Sequence, residues 1–199
     1  MDSPIAAKGL SKAESQTAIE AQNWKLLKYF NSYRVAVALA TAAIALLLGK
    51  LPPFGETYPG LFLSTSLVYA VLALVAVATI HTRNPDFESQ ATLLSFTDVT
   101  LLTMLMHASG GLTSGVGLLL LVAIAGASLM LGKRMTIFYA SLATIAILLE
   151  HSWGMLTGAN VVENDVVQGF PQAGIFGIGF YAIAFFGHML ATRLHVTEE

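Results

Sequence analysis

Cysteine is absent from the chain, which excludes disulfides, thiolate nucleophiles and any metal centre built on Cys. Charge is scarce as well. Asp, Glu, Lys and Arg make up 11% of the 199 residues, against about 25% in an ordinary soluble domain. There is no P-loop, no Gly-rich nucleotide loop and no paired carboxylate with an adjacent base, so this chain has no ATP site or catalytic constellation. The first 30 residues carry Lys8, Lys12, Glu14, Glu20, Lys25 and Lys28. They have no apolar core followed by a small-residue cleavage site and do not read as a cleavable signal peptide. No cofactor, metal or nucleic acid is expected here.

Apolar residues dominate instead. They form 55% of the chain, with a mean hydropathy of +0.70, more apolar surface than a water-soluble fold of this size can hide. Continuous apolar runs fall at 33–49, 60–80, 91–107, 116–131, 135–153 and 173–194, each near the length that crosses about 30 Å of hydrocarbon. Continuity rather than alternation favours helices, which satisfy their own backbone in lipid. The fold expected is all-α, a polytopic bundle of six transmembrane helices.

The connections fit six crossings. Pro52, Pro53, Gly55 and Pro59 break the chain after the first run, 81–90 is polar, and Ser109–Gly115 reads SGGLTSG. In that last stretch Gly110, Gly111, Ser114 and Gly115 predict a tight turn. Gly132-Lys133-Arg134 is a short basic turn, and 154–172 is the longest loop. With six crossings, Lys8, Lys12, Lys25, Lys28, Arg34, Arg83, Lys133, Arg134 and Arg193 fall on one side, and only Lys50 on the other. The positive-inside rule makes the first side cytoplasmic, so both termini are expected inside. Residues 1–22 are expected to form a disordered cytoplasmic tail. The stretch 22–34, with Leu26, Leu27, Phe30 and Tyr33 on one side, is either an amphipathic surface helix or an early start of the first span.

Asp98 lies inside the third run, where a carboxylate is costly unless it faces protein or water. It is therefore either a functional group or a packing group bonded to a neighbouring helix. Ser95, Thr100 and Thr103 make the same run polar. His107, Glu150 and His151 fall at one depth near the far end of the bundle, a pattern compatible with pH sensing or metal binding and equally with solvated interface residues. Small residues recur four apart at Ala36/Ala40, Ala123/Ala127, Ala173/Gly177 and Gly187/Ala191, a spacing that lets helices approach closely.

The run from Asp98 through His107-Ala-Ser-Gly110-Gly111-Leu-Thr-Ser114-Gly115-Val-Gly117 resembles the membrane-spanning input domain of PilS-type sensor histidine kinases. Tyr29-Phe-Asn-Ser-Tyr33-Arg34, Ala127-Ser-Leu-Met-Leu131 and 143–151 extend the resemblance over roughly 25–195. It implies a sensor in the bacterial inner membrane that detects pilin and controls pilin transcription through a response regulator, as a homodimer. Ser95, Asp98, Thr100, Thr103, His107, Glu150 and His151 are then the candidates for contact with the signal. Such kinases continue into PAS, phosphoacceptor and ATP-binding domains, where ATP and Mg would act. This sequence stops at Glu199, which on that resemblance is either an excised sensor domain or a natural truncation, with 195–199 opening the linker. The alternative from another class is a small transporter or channel using Asp98.

Overall fold

The computed structural model describes residues 4–48, 52–157 and 163–196, and most of these fold as helices. In chain order they are α1 (Pro4–Ala43), α2 (Pro59–Thr82), α3 (Phe87–Ala108), α4 (Gly117–Met130), α5 (Lys133–Thr157) and α6 (Glu163–Val196). A π-helical turn, Ile44–Leu48, extends α1, and a 3₁₀ turn, Gly111–Ser114, precedes α4. The apolar parts long enough to cross a membrane are Ile19–Leu47, Pro59–Thr82, Phe87–Ala108, Lys133–Thr157 and Gly169–Ala191.

The fourth run yields a shorter helix. With 14 residues, α4 rises only about 21 Å. The 3₁₀ turn before it adds about 8 Å, and its Gly111, Leu112 and Ser114 are buried. Non-helical backbone is tolerated beside lipid where protein covers it. Part of the cover is α5, whose Glu150 carboxylate lies against Gly111, while the α1–α2 loop braces the end of α3: its Thr57 and Tyr58 amides donate to the Ala108 carbonyl at 3.2 and 3.0 Å. The Gly55 amide donates to Ser109 Oγ at 3.2 Å.

The tight turn expected at Ser109–Gly115 has its cause in backbone angles. Gly110, Gly111 and Gly115 have φ of +94°, +78° and +75°, a region that L side chains rarely enter. At the other end Asp86 caps α3 by accepting from the Ser89 amide. Hydrogen bonds from Ser89 hold the exposed Asp86 carboxyl below the usual carboxylate range.

Three helices share a seam with alternating steps of three and four. On α1 the buried positions are Trp24, Leu27, Asn31, Arg34, Ala38 and Thr41. On α2 they are Phe62, Ser66, Tyr69, Ala73, Ala76 and Ile80, and on α3 they run Ala91, Ser95, Asp98, Leu102, Leu105 and Ser109. That spacing keeps one stripe of each helix facing its neighbours. Trp24 closes one end, edge-on to Phe87 with centroids 5.8 Å apart, and the Arg83 guanidinium lies 5.7 Å from the Trp24 ring centre.

The second half packs on small residues. A Cβ on Gly187 would come within 1.8 Å of Ser128 Oγ, and one on Gly177 within 2.9 Å of the Thr144 methyl, so α6 lies tightly against α4 and α5. Of the spaced small pairs, Ala123/Ala127 and Ala173/Gly177 are buried, whereas Ala36/Ala40 point outward.

Two expectations need correction, and of the two readings of 22–34 the early start of the first span is the one seen. The segment foreseen as a disordered tail to residue 22 is helical from Pro4, because it is rich in Ala, Lys, Glu and Gln, all good helix formers. Of the loop foreseen at 154–172, the described residues 154–157 and 163–172 are helical, belonging to α5 and α6; 158–162 lie outside the described residues.

Candidate functional site

Asp98 sits on the α3 seam and is 1% exposed. Its Oδ1 accepts from Arg34 Nε on α1 at 2.6 Å and from the Tyr69 hydroxyl on α2 at 2.9 Å. Arg34 Nη2 also donates to the Leu94 carbonyl at 2.8 Å. One carboxylate thus ties three helices together, and an ion pair bonded on both sides is the form in which a bundle keeps a charge at this depth.

The sequence alone puts Arg34 among the charges on the aqueous side. The structure buries it, with a side chain 2% exposed, because position 34 continues the stripe of Leu27 and Asn31. The alternative of an ion path through Asp98 meets a carboxylate closed in by these two partners.

The hydroxyls of the same helix are largely self-satisfied. Ser95, Thr100 and Thr103 donate to the carbonyls of Ala91, Phe96 and Val99 at 2.8, 2.9 and 2.6 Å, each four residues back. Ser95 shares the buried face with Asp98, Thr100 faces outward and Thr103 is half-buried.

Near the α1–α2 loop a second polar group forms. His107 Nδ1 lies 3.4 Å from Glu150 Oε1, joining α3 to α5, and the imidazole stacks on Tyr58 with centroids 5.3 Å apart. Glu150 is buried against the turn, where a Cβ on Gly111 would lie 3.0 Å from Glu150 Oε1. Glycine at 111 therefore serves both the turn and the carboxylate's approach.

His151 does not join this pair. It turns to α6, edge-on to Phe170 at 4.7 Å, over a backbone where a Cβ on Gly169 would clash with the ring. No cluster of three His, Cys, Asp or Glu suited to a metal exists among the described residues.

Beside the pair a groove of about 490 Å³ opens sideways between α3 and α5. Thr103, Met104, His107, Ala146, Glu150 and Trp153 line it. Three of the residues singled out from the sequence meet there. Met104 and Trp153, its exposed apolar walls, had not been singled out, since nothing in their local sequence separates them from lipid-facing neighbours.

Buried charges paired across helices, apolar outer faces and a polar notch at one end define a polytopic helical membrane domain. Residues 16–199 match the family described as the PilS-like transmembrane domain, a six-transmembrane family, and the chain belongs to it. The chain is 30% identical over 192 residues to the sensor protein kinase PilS of Pseudomonas aeruginosa, an alignment covering 94% of this chain and 34% of that protein. It thus spans about a third of the length of the curated relative it matches. No solved structure matches the chain.

Proposed function

We propose that this domain is the membrane-embedded input module of a two-component sensor histidine kinase. It detects pilin in the bacterial inner membrane and governs pilin transcription through a response regulator. The family match and the relative's name as a sensor protein kinase support the reading. The observation that carries it is the side-facing groove between α3 and α5. Its apolar walls suit a transmembrane helix, and the His107–Glu150 pair gives that helix a polar contact.

Seating a helix there matters only if one arrangement of α3 and α5 binds it better than another, which shifts the population between them. The readout element is α6, which packs on both α4 and α5 and leads toward the linker. Both termini lie in the cytoplasm on this reading, in keeping with the placement of Lys and Arg. ATP and Mg act in kinase modules beyond this segment, and the kinase works as a homodimer.

The test is co-purification of pilin from membranes with the wild-type domain and with Ala146→Trp, which fills the groove. Pilin recovered with the wild type and lost with the variant is the expected result. Equal recovery from both would refute the groove as the seat.

A further inference from the structure

On the opposite half of the bundle, α1 and α2 leave a groove of about 630 Å³ at the end that carries Trp24 and Arg83. Lys28 and His81 stand at its mouth, Asn31 and Ser32 lie one turn further in, and Leu74 and Val77 form its apolar wall. Lys28 and His81 are exposed.

Asn31 is the unusual member. It is 3% exposed, its Nδ2 donates to the Ala73 carbonyl at 3.4 Å, and its Oδ1 has no hydrogen-bond partner in the protein. A buried amide oxygen without a donor is costly; this one is closed to solvent as it stands, and a turn of the Asn31 side chain brings it into the groove the residue lines, where a ligand O–H or N–H satisfies it.

Above Leu74 the outer face of α2 stays apolar, with Leu67 and Val71 exposed on the same stripe. From Leu67 to Val77 the helix rises about 15 Å, half the thickness of a hydrocarbon core of about 30 Å.

We infer that the α1–α2 groove is a binding site for one anionic glycerophospholipid. Its phosphate sits at Lys28 and His81, a headgroup hydroxyl donates to Asn31 Oδ1, and one acyl chain follows Leu74, Val71 and Leu67. Lys28 supplies charge attraction while its methylene stem stays on the apolar wall. The pattern of charge at the mouth, an unpaired acceptor below it and a leaflet-length apolar track separates this site from an ordinary lipid-facing surface. Asn31 is also one turn from Arg34 on the same stripe, so the lipid rests on the helix face that carries the buried ion pair.

The test is native mass spectrometry of the full 199-residue chain released from detergent with phosphatidylglycerol, phosphatidylcholine or inorganic phosphate. Phosphatidylglycerol retained over phosphatidylcholine is expected, with Lys28→Gln lowering retention roughly fivefold, the scale of one basic group's attraction to anionic lipid. Asn31→Leu should lower it too, and Lys133→Gln, at a distant basic turn, should leave it unchanged. Circular dichroism checks that each variant keeps its helices, and Lys28, being exposed, can change without disturbing the core. Equal retention of the two lipids, equal binding of inorganic phosphate, or full retention by the Lys28→Gln variant overturns the site.

Discussion

At the scale of single residues, the chain's most consequential contact joins Arg34 and Asp98. Removing one member leaves the other buried and unpaired. Arg34→Leu or Asp98→Leu should each destabilise the domain by about 3–5 kcal/mol, whereas the double replacement should recover much of that loss. Unfolding of the two single variants and the double variant in one detergent measures it. Simple additivity of the two losses would mean that the pair is not coupled. Tyr69→Phe removes only one hydrogen bond and should cost about 1 kcal/mol. Asp98 was legible in the sequence as a misplaced charge, but its partner was not. Composition places charge by proximity to the ends of apolar runs, and so counts Arg34 among the charges of the aqueous side. What overrides that count is periodicity: Trp24, Leu27, Asn31, Arg34 and Ala38 form one stripe, and a guanidinium on it must meet an acceptor.

At the scale of elements, the six runs were legible because a crossing demands length and continuity, and the observed helices begin and end within several residues of most of them. Helix ends were less so. The expected sixth run, 173–194, omits the polar first turns of α6, which starts at Glu163, since hydropathy reads lipid contact and not helix extent. Close approaches between helices depend on which glycines face inward, and spacing alone does not say. Gly126 belongs to none of the spaced pairs, yet a Cβ there would fall 2.1 Å from the Phe30 ring. Gly126→Ala and Gly187→Ala should therefore each cost about 1–3 kcal/mol through overpacking. By contrast Gly174→Ala, with open space around its added methyl, should be tolerated. Thermal unfolding of the three variants separates them. Equal stability of all three would contradict the packing of α6 and α1 against α4.

At the scale of the whole molecule, the parts divide labour. The buried seam of α1, α2 and α3 is fixed by a bonded charge, while the notch between α3 and α5 is held by a longer His107–Glu150 contact and lies open at the side. A signal acts most readily where the restraint is weaker and the surface is reachable. The groove itself was not legible in the sequence, because its walls come from helices more than 30 residues apart and its aromatic edge, Trp153, reads as an ordinary interface residue. Orientation has a direct check, made simple by the absence of native cysteine. Thiol labelling of Lys25→Cys, Arg83→Cys and Lys133→Cys should occur from the cytoplasm, and that of Glu56→Cys from the opposite side. Labelling of Lys25→Cys and Lys133→Cys from opposite sides would break the six-crossing arrangement. The sensing role rests most directly on contact in the membrane. Photocrosslinkers placed at Met104 and Trp153 in cells that make pilin should capture it, while one at Val75 on α2 should not. Capture at Val75 alone, or at all three positions alike, would contradict the groove as the place where the signal is read.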